Sequence, residues 1–103
     1  MPTVKRKNLP KTQAIEKPLP GESDLAWIVR RNVRGRRTKL EITQTQLAAA
    51  LGISVPHLSH IESGRNISDN KLVDLNLSRL GEMARALSCD PVDLVTRFRF
   101  FSP

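Results

Sequence analysis

Aromatic residues are scarce in this chain: three phenylalanines, one tryptophan and no tyrosine among 103 residues. Its core must therefore be built from aliphatic side chains, and the length leaves room for one small domain. A single cysteine, Cys89, excludes an internal disulfide and fits a reducing cytoplasm. No apolar run approaches the roughly 20 residues of a membrane span. The opening MPTVKRKNLPKTQ lacks the apolar stretch of a secretory signal, so a cytoplasmic protein is expected. Acids are few: 10 Asp and Glu against 17 Lys and Arg, a net charge of +7. That excess predicts attraction to a polyanion, although charge alone does not separate DNA from RNA or an anionic membrane. There is no glycine-rich phosphate loop and no nucleophile elbow, and the acids are scattered, so no enzyme and no small-molecule substrate are expected.

What the chain does contain is a dense signal from Thr43 to Arg65, TQTQLAAALGISVPHLSHIESGR. Thr43 is a good N-cap, and Gln46 three residues on has the spacing of a capping box. Leu47, Ala48 and Leu51 share one helical face, and the small Ala48 lets a second helix approach closely. Gly52 stands where a left-handed C-cap is needed. Ile53 returns to the core, Ser54 caps a second helix, and Pro56 falls in its first turn, where a missing N–H costs little. Leu58 and Ile61 form the inner face of that helix, and Gly64 ends it. Val55, Pro56, His57, Ser59, His60 and Ser63 are left on or near its outer side. Two short helices joined by a glycine turn, on a very basic domain, make a device for reading the major groove of DNA.

These residues closely resemble the lambda-repressor-like helix-turn-helix family, the Cro and xenobiotic-response-element type regulators. Gln44, Leu47, Ala48, Leu51, Gly52, Ile53, Ser54, Leu58, Ile61, Glu62 and Gly64 carry the resemblance. Val33 and Arg37 before the motif, and Leu80, Met83, Ala84, Leu87 and Asp90–Leu94 after it, extend the match to about residues 25–96. The resemblance implies an all-α fold of five helices that binds double-stranded DNA. It assigns base readout to Val55, Pro56, Ser59 and His60, with His57 nearby. Family members often carry an early glutamine that bonds adenine; Val55 and Pro56 offer only apolar contact to thymine methyls, which leaves polar readout to Ser59 and His60. Gln44 and Ser54 are expected to cap their helices and meet phosphate together with Thr43, Ser63, Arg65, Asn66 and Lys71. The resemblance also implies that Arg37 pairs with Glu62 and pins the first helix to the reading helix. Cys89 takes the place of a buried apolar residue, as an inert small hydrophobe. His57 and His60 are three apart, as two metal ligands can be, but a zinc site wants about four ligands and Cys89 is the only other soft donor. No metal and no cofactor are expected.

The flanks are read separately. Residues 1–22 hold four prolines and a basic cluster at Lys5, Arg6 and Lys7. They are expected to form a flexible arm, either a solvated tail or a strap along the DNA. Residues 23–96 form the domain. Its first helix starts after Ser23, carries Leu25, Ile28, Val29 and Val33 on its apolar stripe, is weakened by Gly35, and frays near Thr38 to Leu40. Arg30, Arg31, Arg34, Arg36, Arg37 and Lys39 carry no compensating acid among them, so phosphate is the expected counter-charge for all but Arg37. After Gly64 the chain departs from the family by an insertion, RNISDNKLVDLN. Asp69 is expected to cap an early helix through Leu72, Val73 and Asn76, or else an extra turn precedes the fourth helix, which Gly81 interrupts or weakens. Asp90-Pro91 opens the last helix, with Val92, Leu94 and Val95 inward or toward a partner. Residues 97–103 form an apolar extension whose Arg-Phe alternation fits a short strand. Phe98, Phe100 and Phe101 either cover the domain's own core against Trp27 or form a dimer interface; the dimer is favoured.

The expected protein is thus a sequence-specific regulator, a repressor that binds a palindromic operator as a homodimer, of bacterial, plasmid or phage origin. The alternative is an antitoxin that neutralises a toxin protein and also binds its own promoter.

Overall fold

The computed structural model describes residues 17–66, 71–73 and 75–102. Lys5, Arg6, Lys7 and Asp69 lie outside them. The described residues form five helices and no strand: α1 (Asp24–Lys39), α2 (Gln44–Leu51), α3 (Val55–Ser63), α4 (Leu77–Ala86) and α5 (Pro91–Val95).

Each helix starts on a side chain that takes an orphan N–H. The Ser23 hydroxyl accepts from Ala26 N at 3.0 Å, and Asp24 sits at the positive end of α1. Thr43 and Gln46 close a reciprocal capping box at α2. Ser54 accepts from His57 N, with Pro56 in the first turn of α3. Asp90 and Asp93 form a second capping box at α5. Gly52 (φ 69°) and Gly64 (φ 83°) end α2 and α3 in the left-handed conformation that glycine takes cheaply.

The core is aliphatic. Val29 and Val33 of α1, Leu47 and Ala48 of α2, Leu58 and Ile61 of α3, Met83 and Ala84 of α4, then Leu87 and Leu94, are all buried. Val92 instead points outward, at 64% exposure, while Leu94 fills the inward position of α5.

The insertion follows the second of the two expected courses, an extra turn ahead of the fourth helix. Leu72 and Val73 are not helical. Arg65 and Leu72 form an antiparallel bridge, with Asn66 N donating to Lys71 O and Val73 N to Gly64 O. α4 begins only at Leu77, capped by Asn76, whose side chain accepts from Arg79 N at 2.8 Å. Leu72 and Val73 fitted a helical period, but their backbone groups are committed to pairing with the end of α3. Gly81 does not interrupt α4.

The tail forms turns and bends rather than the expected strand. Asn32, fully buried in α1, organises it. Its amide donates to Leu94 O and Thr96 O, both at 2.9 Å, and its carbonyl accepts from Phe100 N at 2.8 Å. Phe101 packs edge-on against Trp27, centroids 5.3 Å apart. Phe100 O passes so close to Gly35 that an added Cβ would lie 1.9 Å from it. Gly35, read as a weak point of the helix, is the residue that lets the tail in.

Candidate nucleic-acid interface

α3 crosses the surface with one face locked inside. Leu58 and Ile61 are buried in the core, and Glu62 is 5% exposed despite its charge. That charge is fully employed. Arg37 Nε and Nη2 donate to the two Glu62 carboxylate oxygens at 2.6 and 3.0 Å, and Arg37 Nη1 donates to Ile42 O. The Gln44 amide donates to Glu62 Oε1 at 3.0 Å. One buried carboxylate thus ties α1, α2 and α3 together. A fork of two parallel N–H···O bonds fixes orientation as well as distance.

Gln44 therefore does not cap α2, as the sequence reading had it; Thr43 does, and the Gln44 side chain turns toward Glu62. A primary amide has two N–H donors and only one is used here, so the other can still reach a phosphate oxygen. Thr43 and Ser54 accept through a lone pair when they cap, which leaves each hydroxyl proton for an anion. Ser63 differs. Its hydroxyl lies within donating distance of His60 O and Arg65 O, so its proton is directed at the helix end.

The outer side of α3 presents Val55, Pro56 and His57, all exposed, with Ser59 and His60 half-buried beside them. Against this face lies an open depression of about 570 Å³, lined by Arg34, Arg37, Thr43, Gln44, Ser59 and Ser63, with Glu62 at its floor. It brings together the start of α2, the middle of α3 and the last turns of α1. Arg65, half-buried, and Lys71, exposed, stand at the paired segment beyond Gly64.

The basic face of α1 needs a second correction. Arg30 is not left for phosphate. Its Nε and Nη2 donate to the Glu22 carboxylate at 2.6 and 2.9 Å, with both side chains about 5% exposed. Glu22 comes from the stretch read as the arm. Leu19 N donates to its carboxylate, and Glu22 N donates to Leu19 O, so residues 19–22 form a turn packed on the domain. Arg36 donates to Leu87 O and Ser88 O, at the C-cap of α4 and just beyond it. Arg31 lies over the Phe101 ring, 4.6 Å from its centroid. Arg34 and Lys39 remain exposed. Sequence reasoning was silent on Asn32 and placed Glu22 in the arm. Their partners lie across the fold, and only a polar residue inside the α1 stripe hinted at Asn32.

Cys89 is half-buried, and burial pushes its thiol above the ordinary range despite nearby Arg36, consistent with an inert side chain. No His, Cys, Asp and Glu cluster able to hold a metal occurs among the described residues.

Comparison with known proteins agrees with the geometry. Residues 33–76 match the model of a helix-turn-helix family, a stretch running from mid-α1 to the Asn76 cap of α4. Among curated proteins and among solved structures, none matches the chain. Residues 33–76 thus resemble the helix-turn-helix of the lambda-repressor-like type, whose family is one of DNA-binding regulators.

Proposed function

We propose that this protein is a sequence-specific transcriptional repressor that binds a two-fold symmetric operator as a homodimer. The observation that carries the reading is the Arg37–Glu62–Gln44 cluster. It clamps α3 from behind, so that Val55, Pro56, His57, Ser59 and His60 face outward on a rigid support. Base edges are read by side chains whose positions are fixed before contact. Thr43 and Ser54 hydroxyls, the remaining Gln44 N–H, Arg65, Asn66 and Lys71 are the proposed phosphate contacts; Ser63 would first have to give up its hydrogen bonds at the helix end. Repression requires only occupancy of the operator.

The tail bears on both readings. Phe100 and Phe101 are engaged on α1, which leaves Phe98, at 43% exposure, as the phenylalanine most open to a partner. Self-association is better supported at the cleft between α1 and α4. There Leu77 is 84% exposed and Leu25 57%, beside an apolar cleft of about 250 Å³ between α1, α4 and Val95. A knob next to a groove on one face is what a two-fold contact uses. The antitoxin alternative calls for a tail that folds only on its toxin, and the seated phenylalanines do not favour it.

Selection of bound duplexes from random DNA tests the proposal. A symmetric consensus is expected, with half-sites about one helical turn (~34 Å) apart. The selected site should be preferred over random DNA by a factor of about 10³ or more. Enrichment of no consensus would contradict it.

A further inference from the structure

A second depression, about 430 Å³ and open, lies where the tail meets α1, with Gly35, Thr38, Lys39, Arg99 and Ser102 around it. It adjoins the first. Arg34 lines the depression beside α3, and Thr38, one turn further along α1, lines the second while its hydroxyl bonds Arg34 O. The two are thus linked through one turn of α1.

Cations outnumber acids around the second depression: Lys39 and Arg99 line it, Arg34 lines the first depression, Arg31 lies over Phe101 and Arg97 over Phe98, while Asp24 and Asp93 pair with Arg97 and Arg99. Asp24 is 73% exposed and sits 3.6 Å from Arg97, a loose surface pair. Asp93 takes only the Nε of Arg99, at 3.0 Å, and the guanidinium also lies 5.1 Å from the Phe100 centroid. Ring and carboxylate hold the group in place, and an arginine has four further N–H donors to offer. Exposed and held at once, Arg99 suits phosphate better than a free lysine on a loose chain would.

We propose that this tail depression, through Lys39 and Arg99, holds backbone phosphates of the operator DNA just outside the half-site. The inference rests on the reading that α3 faces the major groove. The partner is a phosphate backbone because cations outnumber acids on this face and the rim carries guanidinium and ammonium donors. The Asn32 clasp and Gly35 then acquire a purpose: they fix the tail at the edge of the DNA face.

Binding to two duplexes separates this inference from its foundation. One duplex ends at the half-site boundary. The other continues about four base pairs further, ~14 Å at 3.4 Å per step. On the longer duplex, Lys39→Gln/Arg99→Gln should lower the slope of log K against log salt by about 1.8, or 0.9 per phosphate. On the shorter one it should change nothing, and base preference should stay as in the parent. Lys39→Arg/Arg99→Lys, which keeps the charges, should retain the slope on both. If the double glutamine variant unfolds, as its melting curve would reveal, Lys39→Gln alone should still remove about 0.9. An unchanged slope on the longer duplex, with Arg65→Ala still lowering it, overturns the tail site and spares the reading of α3. Equal losses on both duplexes also overturn it. If Arg65→Ala and His60→Ala leave binding untouched as well, the reading of α3 fails with it.

Discussion

At Gly35 the backbone of α1 touches the backbone of the tail, and one methyl group decides between two opposed effects. Glycine inside a helix normally weakens it by about 1 kcal/mol relative to alanine. Here the new Cβ would stand 1.9 Å from Phe100 O, and the tail must move. Gly35→Ala should therefore destabilise, by roughly 1–3 kcal/mol as overpacking does. Urea unfolding gives the sign, and the emission of Trp27, the sole tryptophan, reports the departure of Phe101. A gain in stability would mean that the tail is not seated there. Asp93 gives a pH signature at the same place. Its hydrogen bond to Arg99 holds its carboxyl below the ordinary carboxylate range. The unfolded chain then binds this proton more readily, so the stabilisation is present above the ordinary Asp value near ~4 and fades as pH falls below it. Asp93→Asn should flatten that part of the melting-temperature profile, and an unchanged acid limb would exclude the pair as its source.

At the level of elements, Glu62 is the joint between three helices. Arg37 has a side chain 12% exposed, and removal of its carboxylate would leave a nearly buried cation uncompensated. Glu62→Ala should cost about 3 kcal/mol in urea unfolding. A change under about 1 kcal/mol would place the three-helix joint elsewhere. Elements were legible in the sequence where their signals are local. Thr43 with Gln46, Ser54 with Pro56, Gly52 and Gly64 act within three or four residues, so spacing alone reveals them. The choice between the two courses open for the start of α4 had no local signal, for the converse reason. Leu72 and Val73 satisfy a helical period, but their fate is set by pairing with Gly64 to Asn66, which no local rule contains. The Arg30–Glu22 pair and the Asn32 clasp were likewise invisible, since Asn32 meets Leu94 and Phe100 more than 60 residues away.

For the whole molecule, two surfaces of the described residues are proposed to serve two tasks. The basic side carries α3, the end of α1 and the tail. The apolar side carries Leu25 and Leu77 around the cleft, and it is the proposed meeting place of two copies. Leu77→Asp should shift sedimentation toward monomer and weaken operator binding, while Phe98→Asp should leave the assembly intact; the reverse pattern would return the interface to the tail. The central claim concerns the outer face of α3, and His60 tests it most directly. Base-by-base affinities of His60→Ala and Arg65→Ala should be measured against every single substitution of the selected site. The account predicts that His60→Ala loses about 1–3 kcal/mol on the best site and flattens preference at one position per half-site. Arg65→Ala should weaken all sequences alike and lower the salt slope by about one. Full base preference retained by His60→Ala, with Arg65→Ala altering it instead, would contradict the claim that α3 reads the bases through its outward side chains.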